Sequence, residues 1–286
     1  MEVIPLTNSK FAAEIQGFDA SRFNEDEFQQ LYATWLSYGV IRLRNQSMDD
    51  EQLMRFSQEF GPLEYSPMGN VTEAERAQVP NPHVLTISNI RKNGKPIGGL
   101  GAGETSWHTD MSYVENPPKA SLLYAVKVPP SGGDTHYCCM ELALKELPLE
   151  LRERLETIEV KHDAAHDSIG KLRRGFDQAD TPIAAPGVYH PAILQHPETS
   201  ENVLFLGRRD EAYIKGLSLL ESEELLDEIW QYVAKPSHVW TQEWQVGDLL
   251  IWDNRRLMHK RSSFNDSDQR LMRRTQVQGE IAVALA

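Results

Sequence analysis

The sequence predicts a mainly β protein, a sandwich or jelly roll with flanking helices. From Lys119 onward, short apolar runs alternate with turn signals, whereas only a few stretches carry helical periodicity. Taken in order, Phe28, Leu31, Tyr32, Trp35 and Leu36 follow one helix face, and Gly39 is placed to stop it. Residues 40–43 read as a strand. A second helix is expected from Ser47, with Asp50 three residues on as a capping box, ending at Gly61. Segment 66–106 carries Pro67, Pro80, Asn93-Gly94-Lys95-Pro96 and the run Gly98-Gly99-Leu100-Gly101-Ala102-Gly103. These residues break regular structure, so the segment reads as a mobile loop with one strand at 83–90. Strands follow at 122–128 and 135–140, across a turn at 129–133. A helix at 143–155 is interrupted by Pro148. Runs 193–195 and 203–206 flank a polar turn and form a hairpin. The remaining expectations are a helix at 222–233 and strands at 239–244, 249–252 and 270–277. No linker or internal repeat divides the chain, so residues 1–286 read as a single domain.

The chain has 286 residues, 40% hydrophobic and 25% charged, which is ordinary for a globular protein. A formal net charge of −13 argues against nucleic acid or an anionic membrane as partner. A small anionic substrate stays open, provided that local arginines attract it. No apolar stretch is long enough to span a membrane, and the N-terminal residues lack a secretory pattern. Cys138 and Cys139 are adjacent and exclude a disulfide framework, so a reducing cytoplasmic setting is expected.

The richest stretch is Trp107-His108-Thr109-Asp110-Met111. His108 and Asp110 are two apart, so a strand would point both side chains to one face. Together with His259 they make two imidazoles and a carboxylate, the set that holds non-haem Fe(II) and leaves coordination positions open. Bland readings exist for each. A lone H-x-D pair is common on surfaces, and His259 sits among Arg255, Arg256, Lys260 and Arg261 as in a solvated basic loop. His196-Pro197-Glu198 is formally a second H-x-E set, but its polar turn reads as exposed. His162-Asp163 and His166-Asp167 form a local cluster suited to a metal or a pocket wall. His136 alternates to the other strand face and reads as structural. Met111, Trp107 and the 98–103 glycines point to an apolar, adjustable substrate surface.

W-H-T-D at 107–110, G-G-D-T at 132–135, W-D-N-R at 252–255, and His259 followed by Arg270 and Arg274 form an ordered set. In this set the chain resembles the taurine dioxygenase and 2,4-dichlorophenoxyacetate dioxygenase family of Fe(II)/2-oxoglutarate oxygenases. A weaker likeness runs through nearly the whole length. The resemblance implies a double-stranded β-helix and, by family habit, a homo-oligomer. It implies that His108, Asp110 and His259 ligate iron and that Thr135 and Arg270 hold the distal carboxylate of 2-oxoglutarate. Arg274, with Met111 nearby, would meet a small, anionic organic substrate. O₂ would be the second cosubstrate, with succinate and CO₂ released and a C–H bond hydroxylated. Segment 66–106 would then be an active-site lid. Two rivals use the same residues: a zinc hydrolase with a His/Asp/His site, and a non-catalytic β-sandwich binding protein.

Overall fold

The computed structural model describes residues 1–67, 72–76 and 78–280. The chain begins with β1 (Glu2–Pro5), β2 (Ala12–Gln16), α1 (Glu25–Tyr38), β3 (Val40–Leu43), α2 (Asp50–Gln58), α3 (Glu73–Arg76) and β4 (Leu85–Ser88). Short strands β5 (Arg91–Lys92), β6 (Lys95–Pro96) and β7 (Gly99–Leu100) lead to β8 (Ala120–Lys127) and β9 (Thr135–Cys139). Then come α4 (Met140–Glu146), α5 (Leu149–Leu155), β10 (Glu159–Asp163), β11 (Gly187–Pro191), β12 (Ile193–Gln195), β13 (Asn202–Leu204) and β14 (Tyr213–Ile214). Helix α6 (Leu219–Trp230) precedes β15 (Val239–Gln242), β16 (Leu249–Asp253), β17 (Leu257–Arg261) and β18 (Leu271–Val277).

Two sheets build a jelly roll. The large one has the order β1-β2-β3-β16-β8-β18-β4-β7, and the small one β15-β9-β17. Strand alternation explains the layering, because successive side chains point to opposite faces. In β16, Leu250 and Trp252 face inward, where they meet Tyr137 and Cys139 of β9 and Leu257 of β17. Leu249 and Ile251 face the other way and pack under α1 and α2 with Leu31, Trp35, Leu53 and Phe56. On the far side, Cys138 and Met258 of the small sheet pack against α4, α5 and α6. Each fully buried leucine contributes about 2 kcal/mol of transfer free energy. Burial on both faces of β16 therefore locks its register against β3 and β8.

Several boundaries differ from the sequence expectation for identifiable reasons. Helix α2 is capped by Asp49, whose Oδ1 accepts from the Gln52 N–H at 2.8 Å while Gln52 Oε1 accepts from the Asp49 N–H at 2.9 Å. That reciprocal pair takes the capping role expected of Ser47 and Asp50, and the helix stops at Gln58, ahead of Gly61. Pro148 divides 143–155 into α4 and α5, as expected from its missing N–H. Within 66–106, β4 is a member of the large sheet, paired with β18 and β7. Residues 68–71 and 77 of that segment lie outside the described residues. Strand β17 is the most consequential element missing from the sequence reading. Among the described residues no helix is long and apolar enough to cross a membrane.

Candidate metal centre and its cavity

His259 reaches the interior because β17 is a true strand, antiparallel to β9, with His259 opposite Tyr137. Its imidazole is bracketed by the Trp252 and Tyr137 rings, at centroid distances of 4.9 and 6.0 Å. His108 belongs to no strand. It forms an isolated bridge to His259: its N–H donates to the His259 carbonyl at 3.0 Å, and its carbonyl accepts from the His259 N–H at 2.9 Å. After His108 the chain turns, with Met111 at φ 48°. Strand alternation is therefore not what aligns Asp110 with His108. The W-D-N-R segment does that job. Asn254 Oδ1 accepts from the Asp110 N–H at 2.9 Å, and its Nδ2 donates to the Asp110 carbonyl at 2.8 Å and the Pro118 carbonyl at 2.9 Å.

The three side chains offer ligand atoms all within 4.8 Å of one another. His108 Nε2 and His259 Nε2 lie 3.8 and 3.9 Å from Asp110 Oδ1. His108 Nδ1 is 2.8 Å from the Ser106 carbonyl, so that nitrogen carries the proton and Nε2 keeps its lone pair for a metal. Burial would raise the Asp110 carboxyl, but Arg274, the two imidazoles and Ser121 outweigh it and hold it at about 2. Burial pushes His259 down to about 3, with His108 adding to the effect, and burial also lowers His108. Two neutral imidazoles and one carboxylate are the protonation states that a divalent metal requires. The residues fit the ion.

This cluster opens into a cavity of about 370 Å³. Thr135, Arg261 and Arg270 also line it. Thr135 Oγ1 accepts from Trp244 Nε1 at 3.0 Å. Arg270 is 2% exposed, and burial, with Arg261 adding, lowers it to about 9, still cationic at neutral pH. Asp134 and His136, the chain neighbours of Thr135, do not line this cavity, and His136 bonds Thr241 and Ser262 on the other strand face.

Other expected residues fall as follows. Arg274 lines the cavity but already donates to Asp110 Oδ1 at 2.7 Å and to Gln276 Oε1 at 3.3 Å. Met111 lines the cavity as well. Trp107 turns away from it and packs on the outer cluster beside Lys260. His162 is a buried part of the cavity wall, and it stacks on Phe205. His166 is held by Asp163 and Gln178. His196 corrects the expectation of an exposed turn. It is 2% exposed, its Nε2 lies 2.9 Å from Asp253 Oδ2, and its Nδ1 accepts the N–H groups of Glu198 and Thr199. The polar turn wraps around the imidazole, so its polarity is spent inward. Sequence reasoning assigned no role to Asn254, Ser121, Arg173 or Arg261. Only the W-D-N-R match and the two-residue offset of Arg261 from His259 could have flagged any of them.

A jelly roll with two neutral imidazoles and a carboxylate at the edge of a ligand-sized cavity defines a non-haem metal oxygenase. The chain belongs to the taurine catabolism dioxygenase TauD, TfdA family, whose model matches residues 2–276. It is 28% identical over 287 residues to an (S)-phenoxypropionate/alpha-ketoglutarate-dioxygenase of Sphingobium herbicidovorans, covering 98% of this chain and 96% of that one. It is 31% identical to an alpha-ketoglutarate-dependent sulfate ester dioxygenase of Pseudomonas putida, covering 100% of this chain and 92% of that protein. Among solved structures, AAD-2 in complex with Mn(II) and N-oxalylglycine superimposes with a TM-score of 0.81, at 27% identity and full coverage of both chains. The chain is therefore an alpha-ketoglutarate-dependent dioxygenase, an oxidoreductase that uses Fe(II), 2-oxoglutarate and O₂. The zinc-hydrolase and binding-protein readings have no support.

Proposed function

We propose that this dioxygenase hydroxylates a small organic anion. The balanced reaction joins substrate R–H, 2-oxoglutarate and O₂ to give R–OH, succinate and CO₂. Bound iron would supply the oxidising chemistry that removes hydrogen from carbon. His108, Asp110 and His259 would hold it, with Arg274 and Ser121 keeping Asp110 ionised and oriented. Thr135 and Arg270 would take the distal carboxylate of 2-oxoglutarate.

The observation that carries the anionic substrate is a guanidinium left over in the cavity. Asp110 is paired with Arg274, and Asp163 with Arg208. Arg173 lines the same cavity, lies 3.8 Å over the Tyr113 ring, and forms no ion pair among the described residues. Because Arg274 is committed to Asp110, Arg173 is the better anchor for a substrate carboxylate or sulfate. The names of the relatives, phenoxypropionate and sulfate ester dioxygenases, support this class. Met111 and the ring of Tyr113 would cover the apolar remainder. A panel of aryloxyalkanoates, alkyl sulfates and alkyl sulfonates, each beside a neutral amide or alcohol analogue, tests the reading through succinate release. At least one anion should give succinate and product in equal amounts. Arg173→Ala should lower its kcat/KM about tenfold or more, the usual scale for a hydrogen bond to a charged group. Neutral analogues turning over as fast as the anions would refute the anion site.

We also propose that the described part of segment 66–106, apart from β4, closes over the cavity as a lid within a single catalytic domain. Gly99, Leu100 and Thr105 line the cavity from this segment, and closure would exclude water from the reacting centre. Amide exchange at 98–104 should slow when 2-oxoglutarate and substrate bind. Equal, strong protection in both states would reject a lid. Reduced Cys138 and Cys139, both buried, support a cytoplasmic setting for this small-molecule enzyme.

A further inference from the structure

The cavity holds a further buried cation, Arg261, beside Arg270 and Arg274. Arg261 follows His259 by two residues in β17, so both side chains project to the same face. Its register partner in β9 is Thr135, and directly opposed residues of an antiparallel pair share a face. Arg261 is 5% exposed and lines the cavity with Thr135 and Arg270.

Packing brings the two guanidiniums to one corner. A Cβ at Gly133, which has φ +71°, would sit 3.3 Å from Arg270 Nε and 3.3 Å from the Phe264 ring. Arg261 lies over that same Phe264 ring at 5.6 Å. One edge of the Arg261 guanidinium is used, because its Nη2 donates to the carbonyls of Leu100 and Gly103. Its Nε is buried without a partner, and so is Arg270 Nε. Neither arginine forms an ion pair among the described residues. Two like charges buried together without an anion are costly. A carboxylate entering this corner would relieve both.

Resting on the 2-oxoglutarate reading above, we propose that Arg261 acts with Arg270 as a second guanidinium for the distal carboxylate of the cosubstrate. Its selectivity for a dicarboxylate would then be shared between β17 and the residue just before β18. Arg261 would also link that carboxylate to the glycine run, through the Leu100 and Gly103 carbonyls it already holds.

The test compares two 2-oxo acids that present the same C1 carboxylate and keto group to iron. Anaerobic titration of Fe(II)-loaded protein with 2-oxoglutarate, read from the visible band of the chelate, gives one Kd. Titration with 2-oxobutyrate, which lacks the distal carboxylate, gives the other. Arg261→Ala should weaken 2-oxoglutarate by about 10- to 100-fold, the scale of a charged hydrogen bond. It should leave 2-oxobutyrate within about twofold of wild type on the same scale. Arg261→Lys, which keeps charge and stem, should recover part of the loss and also serves if the alanine variant does not fold. Equal weakening of both acids, or no change for 2-oxoglutarate, overturns the assignment and leaves Arg261 a loop anchor. A wild-type protein that gives no band with either acid overturns the 2-oxoglutarate reading, and this inference with it.

Discussion

Replacing His259 with alanine is expected to abolish both turnover and the visible band that Fe(II) and 2-oxoglutarate give anaerobically. His108→Ala should do the same. Each imidazole is one of three donors clustered within 4.8 Å. Loss of a group that merely orients a ligand costs about 10- to 100-fold in metal affinity, and loss of a donor itself should exceed that. A variant that keeps wild-type Fe(II) affinity takes its residue out of the triad. The pH dependence has a definite sign. Free imidazole takes a proton near about 6.5, whereas burial holds His259 at about 3. Protons therefore do not compete with the metal near neutrality, and Fe(II) affinity should change by less than about twofold between pH 6 and 8. Because the folded value is depressed, the contribution of His259 to stability is complete above about pH 6.5 and is lost as pH falls toward 3. Chemical denaturation at pH 7 and pH 5 measures that loss.

Arg270→Ala should weaken 2-oxoglutarate far more than it weakens iron. Removing one partner of a buried, hydrogen-bonded charge pair costs about 2–5 kcal/mol, largely through the charge left behind. At ~1.4 kcal/mol per decade, that is roughly 30-fold to several thousandfold in Kd. Lysine should restore only part, since it keeps the charge and loses the two-pronged geometry. Arg173→Ala should leave the same titration unchanged. If Arg274→Ala weakens 2-oxoglutarate more than Arg270→Ala does, the assignment of the distal carboxylate to Arg270 fails.

Apolar alternation made most of the barrel legible. Leu249 to Trp252 announced β16 because hydrophobic side chains recur on both of its buried faces, whereas Arg270 to Val277 announced β18 with hydrophobic residues only at Leu271, Met272 and Val277. Strand β17 was hidden because its inward residues are His259 and Arg261, which read as a solvated loop. Interior cations defeat a method that equates charge with surface. For the same reason His196 was misplaced: its polar turn is folded onto a buried imidazole and Asp253. The three clustered residues of the proposed metal site were legible in the sequence by residue type and order, read together with the family resemblance. What brings Asp110 to the two imidazoles was not, since Asn254 acts from 144 positions away. The H-x-D spacing pointed to residues that do cluster with His259, but through strand geometry that the chain does not adopt.

The reciprocal backbone pair between His108 and His259 sets the character of metal uptake. Two donors far apart in the sequence are fastened by main-chain hydrogen bonds that need no ion. Folding itself has therefore already met the entropy of bringing these segments together. The ion arrives at a finished socket, and its binding energy is free to go into affinity instead of chain organisation. Such a centre is expected to keep its fold when its metal is removed, unlike small domains that collapse only around zinc.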